Sequence, residues 1–500
     1  MTDLQQLPAA GVSALPEDGG ASTDPRRWLA LAVIAMAQLM VVLDASIVTI
    51  ALPSAQHALH ISTANRQWVV TAYTLTFGGL LLLGGRIADF MGRKRMFIVG
   101  LLGFAAASAI GGLAQNSAML FGSRALQGAF AALMAPAALS LISVTFTEPT
   151  ERARAFGVFG AIAGGGAAIG LVMGGLLTQY ASWRWCLLVN VPISLGAALA
   201  AVRLVRESRA HGNTSYDVPG AMAATGGLMA LVYGLTVATT HGWGSTTTLC
   251  FLGLAIALLV GFVAIEMRSA NPLLPMRVIL DRNRGGSFLG SFLTGVGLLG
   301  MFLFLTYYFQ GTLHYSALKA GFAFLPFSAG IIIAATMASR VLPRVGPRPM
   351  MTGGFIAAAV GLLWLSQIGV HTSFALHVLP AEIVMSLGLG FAFVPMSSTA
   401  LLGVDNHDAG VASATFNASQ QVGGSLGTAL LNTIYATTAT TYIVSHVGTP
   451  GSVAAGQVHG YTVGFIFGSV ALALAAVVAV LFVTARKDQL AATEVAAVTG

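Results

Sequence analysis

The chain is 500 residues long, 56% hydrophobic and only 8% charged, with a formal net charge of +7. Soluble domains carry about 25% charged residues, so this composition excludes a water-soluble fold. Two cysteines exclude a disulfide scaffold and a cysteine-rich zinc module; Cys186 and Cys250 both sit in apolar runs and read as buried free thiols.

In chain order, residues 1–27 are polar and punctuated by Pro8, Pro16 and Pro25, the composition of a disordered tail with no cleavable signal peptide. A helix crossing the roughly 30 Å hydrocarbon core needs about 20 apolar residues. Such runs follow at 28–52, 66–88, 96–114, 119–144, 155–178, 185–205, 217–239, 248–268, 287–311, 319–341, 350–369, 375–402, 410–437 and 460–485. They predict an all-α membrane protein with fourteen transmembrane helices, because barrel strands would instead alternate over about 10 residues. A second short tail occupies 487–500. With the N-terminus inside, twenty of the twenty-four lysines and arginines fall on the cytoplasmic face. This positive-inside signal puts both termini in the cytoplasm. It also assigns the basic charge to a membrane face and argues against nucleic acid as a partner.

Two halves of the chain match. Gly92-Arg93-Lys94-Arg95 corresponds to Gly346-Pro347-Arg348-Pro349 at an offset of 254. Gly166 and Gly170 correspond to Gly423 and Gly427 at 257, and Pro136 to Pro395 at 259. A nearly constant offset over separate helices indicates duplication. It gives six-helix bundles at 28–210 and 271–486, with two inserted transmembrane helices at 211–270. Two similar halves meeting at a midplane site is the plan of many secondary transporters.

Between the second and third runs, Gly85, Asp89, Gly92, Arg93, Lys94 and Arg95 form the most specific local pattern. The glycines allow a tight turn and close helix approach. Asp89 can pair with an arginine or cap a neighbouring helix. Such a polar knot can latch the cytoplasmic side shut; alternatively, its bases only fix topology.

This loop resembles the G-x-x-x-D-x-x-G-R-[KR]-[KR] signature of the major facilitator superfamily, and Arg124-Ala125-Leu126-Gln127-Gly128 resembles its R-x-x-Q-G element. Three further patterns are similar to its 14-span drug:proton antiporter branch. They are Leu43-Asp44-Ala45-Ser46-Ile47-Val48 with Ala51-Leu52-Pro53, Trp183-Arg184-Trp185 with Asn190-Val191-Pro192, and Tyr308-Phe309-Gln310-Gly311 with Ala320-Gly321 and Pro326. The resemblance implies a proton-coupled exporter in a bacterial inner membrane, and it assigns Arg124 to proton coupling. Two departures stand out. Leu171 stands where the branch's glycine motif has proline, which bears on the usual helix kink; Pro343 stands where an acid would match Asp89, which predicts an asymmetric latch.

Ionisable groups at bilayer depth need a partner, a water-filled cavity or a function. Asp44 lies sixteen residues after Trp28, about 24 Å along a helix, and Arg124 and Glu382 reach a similar outer depth. Asp44 and Arg124 are expected to face one cavity and couple to protons; a static pair bracing two helices is the alternative. Glu382 suits a cationic substrate or an outer pH response, or else a solvated helix end. Gly166, Gly170, Gly174 and Gly175 predict a flat face for close helix contact, static or sliding. Gln127, Tyr307, Gln310, Glu382, Asn417 and Gln420 are candidates for a substrate cavity, although the amides could equally join helices. Phe302, Phe304, Tyr308 and Phe309 add an aromatic wall suited to lipophilic or cationic compounds, with lipid-facing or interfacial positions as the alternative.

No His-x-Glu metal pattern or phosphate-binding loop occurs, which disfavours a membrane enzyme and a primary pump. No cofactor or metal is expected. The expected function is proton-driven export of drugs or other lipophilic small molecules by a chain that suffices as a monomer. Carriage of a specific metabolite, including uptake, is the alternative.

Overall fold

The computed structural model describes residues 26–486 except 147, 210–216, 270–271, 273, 275 and 405–408. The two expected tails lie outside the described residues, Arg26 and Arg27 apart. The first half of the chain forms α1 (Arg27–Ala58), α2 (Trp68–Met91), α3 (Arg93–Gly112), α4 (Ser117–Thr145), α5 (Pro149–Tyr180), α6 (Trp185–Leu188) and α7 (Asn190–Leu204). A hairpin follows, α8 (Val218–His241) and α9 (Thr246–Arg268), then the short α10 (Met276–Ile279). The remainder forms α11 (Arg282–Tyr307), α12 (Ala317–Ala323), α13 (Leu325–Val345), α14 (Pro347–Leu365), α15 (Leu379–Ala400), α16 (Ala409–Ser445) and α17 (Ser452–Phe482). Single π-helical turns at Tyr308–Thr312 and Phe374–Val378 extend α11 and lead into α15.

Local chemistry sets these boundaries. Asn116 caps α4 by accepting from the Met119 N–H at 2.9 Å, and Asp281 caps α11 by accepting from the N–H groups of Asn283 and Arg284. Gly92 and Gly346, at φ +112° and +89°, turn α2 into α3 and α13 into α14, a backbone that side chains with a Cβ rarely adopt. The run expected at 319–341 divides into α12 and α13 at Phe324, because Pro326 has no N–H to continue the helical ladder.

Among the described residues, twelve helical segments are long and apolar enough to cross a membrane. The other two expected spans fall on α5 and α16, helices of 32 and 37 residues. Cys186 is buried as expected, but Cys250 on α9 is exposed. In a membrane an apolar run can face lipid as well as core, and α9 packs chiefly on α8.

The packing repeats. α1 packs on α5, α2 on α4, and α3 on α4 and α7; the same order recurs as α11 on α16, α13 on α15, and α14 on α15 and α17. The halves meet where α2 runs along α16 and where α5 meets α12 and α13, and α8 covers the α2–α16 seam. Gln67 donates to Thr236 Oγ1 at 2.7 Å, and Thr433 to the Leu235 carbonyl at 3.2 Å, so the hairpin is tied to both halves.

Close helix approach depends on missing side chains. A Cβ on Gly128 of α4 would stand 2.3 Å from the Tyr73 carbonyl oxygen and 2.1 Å from Thr76 Oγ1. Gly128→Ala should therefore push α2 and α4 apart. Overpacking of this kind costs about 1–3 kcal/mol, and a lower melting temperature of the purified protein in detergent is the expected readout.

Candidate functional site

A cavity of about 760 Å³ lies between α1, α2, α4 and α5 on one side and α11 and α16 on the other. Phe77, Leu81, Phe159, Leu298 and Phe302 make its walls mostly apolar; Gln38, Asn417, Gln420 and Gln421 supply polar edges. It reaches the surface beside Asp89, Ser143, Leu401 and Gly410, the last three exposed.

Arg124 lies at the cavity's other, blind end, with Asp44 sealed behind it; their relative exposures are 1% and 0%. Arg124 Nη1 donates to Asp44 Oδ2 at 2.5 Å and to Gln127 Oε1 at 2.8 Å, while its Nε donates to the Val69 carbonyl at 2.9 Å. Asp44 Oδ1 accepts from Asn190 Nδ2 at 2.7 Å and from Gln127 Nε2 at 3.0 Å, and Gln127 also donates to Ser108 Oγ at 2.8 Å. The Tyr73 ring lies 4.4 Å from the guanidinium carbon. Five helices, α1, α2, α3, α4 and α7, thus meet at one ion pair. Its carboxylate is fully hydrogen-bonded in the charged form, the condition under which a buried pair is tolerated.

The opposite wall of the molecule is shut. Arg66, in the turn before α2 and 2% exposed, donates from Nε to Asn432 Oδ1 at 3.1 Å. Its guanidinium carbon sits 3.9 Å from the Tyr307 ring centre and 4.5 Å from that of Tyr435, which stacks on Tyr461. No carboxylate of the described residues lies within ion-pair distance of it, so aromatic faces hold the cation. Nearby, Tyr307 donates its hydroxyl to Gln56 Oε1, and Gln310 donates to the Ile50 carbonyl at 2.9 Å. Backbones touch here too: a Cβ on Gly175 would stand 2.6 Å from Leu318 Cα, and one on Gly321 would stand 2.4 Å from the Leu171 carbonyl oxygen.

A family model described as Major Facilitator Superfamily matches residues 34–428. This chain belongs to the major facilitator superfamily. It is 48% identical over 493 residues to the puromycin resistance protein pur8 of Streptomyces alboniger, covering 98% of each chain. It is 36% identical over 430 residues to the cephamycin export protein CmcT of Amycolatopsis lactamdurans, covering 85% of this chain and 88% of that one. A solved bacterial homolog of the human lysosomal transporter Spinster, inward-facing and occupied, matches with a TM-score of 0.66 at 14% identity. That match covers 93% of this chain and 98% of the other and speaks for the fold alone.

In this superfamily member the loop between α2 and α3 is tied within its own half. Asp89 Oδ1 accepts from Arg93 Nε at 2.8 Å across Gly92. Glu207, just past α7, accepts from the backbone N–H groups of Lys94 and Arg95 at 3.1 and 3.2 Å, and Lys94 Nζ donates to the Val202 carbonyl at 2.7 Å. Glu207 thus caps α3, a role its sequence position did not reveal. Glu207→Ala should remove about 0.5–2 kcal/mol of stability, as loss of a cap does, and thermal melting of the purified protein measures it. Gly85 and Asp89 border the cavity mouth.

The glycine motif divides its work. Gly166, Gly170 and Gly174 press α5 onto α1 close to Val42, Ser46 and Ile47, whereas Gly175 meets α12 of the other half. α5 runs unbroken through Leu171, where the family proline is absent.

Several expected cavity residues stand elsewhere in this conformation. Asn417 and Gln420 do line the cavity. Gln127 does not, because both ends of its amide are spent on Arg124, Asp44 and Ser108. Tyr307 and Gln310 belong to the shut end. Glu382 is 0% exposed and outside the cavity, so it is neither a cavity contact nor a solvated helix end. Of the aromatic wall, Phe302 reaches the cavity, whereas Phe304, Tyr308 and Phe309 are core.

Proposed function

We propose that this protein exports lipophilic antibiotics or similar drugs from the cytoplasmic side in exchange for protons, with Asp44 and Arg124 as the coupling pair. The observation that carries the proposal is an ion pair sealed from water at the blind end of a mostly apolar cavity. In this reading α5 and α16 also span the membrane and bring the number of spans to fourteen. α1–α7 and α11–α17 make up the two six-helix halves, and α8–α9 are the inserted pair. The basic loops make the open end cytoplasmic, so the conformation is inward-facing. The protein then resides in a bacterial inner membrane with both termini inside, and one chain suffices because it holds both halves.

The geometry supports a simple exchange. Arg124 faces the cavity and Asp44 lies directly behind it. With Asp44 ionised the pair is closed and the cavity is free for cargo. A proton arriving at Asp44 removes the charge that holds Arg124, loosening the bonds that draw α1, α4 and α7 together. Cargo and proton thereby act on the same pair from opposite sides.

The similarity to a puromycin resistance protein makes puromycin the first compound to test. Expression in an efflux-deficient bacterial host should raise its puromycin resistance, and a protonophore should cancel the gain. Net accumulation of puromycin on expression would contradict export.

A further inference from the structure

The repeated packing contains a mismatch of charge. Arg124 and Glu382 are 382 − 124 = 258 residues apart, within the 254–259 range of offsets that relates the two halves. Their helices pack alike, α4 on α2 and α3, α15 on α13 and α14. Arg124 has Asp44 as counter-ion. Glu382 has none: it is fully buried, and neither carboxyl oxygen has a hydrogen-bond partner. The cause lies on α11. Gly170 packs against Leu43 and Ser46, the turn of α1 that bears Asp44, whereas its counterpart Gly427 packs against Val296. By the same offsets Asp44 corresponds to residues 298–303 of α11, Leu298-Leu299-Gly300-Met301-Phe302-Leu303, which carry no charge.

Nothing else nearby supplies one. Gly330 packs on Ser386 and Gly390 on Ala334, a parallel register that sets Glu382 beside the first turn of α13 around Pro326 and Phe327. α13 has no titratable side chain before Arg340, and α14 has only Arg348, in its first turn at the far end. The π-helical turn before α15 carries His377, which is exposed. α11 and its π-helical extension offer Tyr307 and Tyr308, whose hydroxyls are bonded to Gln56 and to the Gly369 carbonyl. α16 carries Tyr435 and Tyr442, which stack on Tyr461 and His446. A bare carboxylate in such a place is strongly unfavourable.

We infer that Glu382 is a proton-operated lock on the outer end of the transporter, which closes only after Glu382 has taken up a proton from outside. Closure removes the water that solvates the ionised form. The proton converts carboxylate to carboxylic acid, and no other bond changes. Reopening returns the group to water, where it releases the proton. Acid outside therefore favours the inward-facing state and the return of the carrier. The inference rests on the antiport reading above and adds a second proton-linked step to it.

The test places spin labels at Ser62→Cys and Thr441→Cys, exposed on opposite halves of the shut end, with Cys186 and Cys250 replaced by alanine. Distances measured in lipid nanodiscs between roughly pH 5 and pH 8 report the closed-to-open ratio, which one linked proton changes by up to about tenfold per pH unit. The closed population should grow as pH falls. In Glu382→Gln that dependence should flatten by up to about tenfold per unit, with the end closed throughout. Glu382→Leu should match the glutamine variant, and Glu382→Asp should keep a pH response. Neutral variants that follow the unsubstituted curve, or an unsubstituted protein without pH response, overturn the lock. Drug–proton exchange is measured on the same proteins. Its absence from the unsubstituted chain would sink the antiport reading, whereas intact exchange beside an unchanged Glu382→Gln curve would sink the lock alone.

Discussion

Asp44→Asn is expected to abolish drug–proton exchange and to destabilise the protein, because it strands Arg124 without a counter-ion at 1% exposure. Breaking a buried pair from one side costs about 3–5 kcal/mol, roughly two to four powers of ten in an equilibrium constant. Asparagine keeps the shape of the neutral acid and the acceptor for Asn190 or Gln127, but it cannot ionise. The pair should therefore show its coupling in a double substitution. Asp44→Asn with Arg124→Gln removes both charges and should recover much of the lost stability while leaving exchange at background. Thermal melting and vesicle efflux on the two single variants and the double variant measure both effects. Full recovery of exchange in the double variant would mean that the pair is only a brace.

Arg66→Ala should open the shut end. The substitution deletes the bond to Asn432 and the contacts with the Tyr307 and Tyr435 rings. A desolvated cation–π contact contributes about 2 kcal/mol or more and a hydrogen bond from a charged group about 1.5–3 kcal/mol. Even after relaxation, a net loss of about 3 kcal/mol moves the closed-to-open equilibrium by roughly 100-fold. Thr428 lies 1% exposed on α16 between Ser425, which bonds Thr74, and Asn432. In a chain with Cys186 and Cys250 replaced by alanine, a Thr428→Cys reporter should react with a membrane-impermeant maleimide from outside in the Arg66→Ala background and resist it otherwise. Equal labelling with and without Arg66 would show that the aromatic cage does not hold the end closed.

The pairing of Asp44 with Arg124 was legible in the sequence because depth can be counted along a helix, and two opposite charges at one depth in lipid have few ways to be satisfied. The offset behind the expected duplication was legible for a similar reason: an offset is a linear quantity. Arg66 was not, since an arginine in a short loop between two spans reads as topology. The tyrosines that hold it come from α11, α16 and α17, and stacking on a ring leaves no spacing pattern along the chain. Asn190 stood out only as part of a family motif, though it bonds Asp44 directly. Tyr307 and Gln310 were read as cavity residues because periodicity gives the face of a helix and not the neighbour it meets. The solitude of Glu382 likewise depends on what α11 lacks, which no reading of α15 discloses.

Proteoliposomes with an acidic lumen test the central claim most directly, with protein-free liposomes as the baseline for passive trapping. Puromycin should accumulate above that baseline while the lumen becomes less acidic, and both changes should vanish with a protonophore and with Asp44→Asn. Uphill accumulation that survives collapse of the proton gradient, or a lumenal pH that puromycin leaves unmoved, would contradict the account.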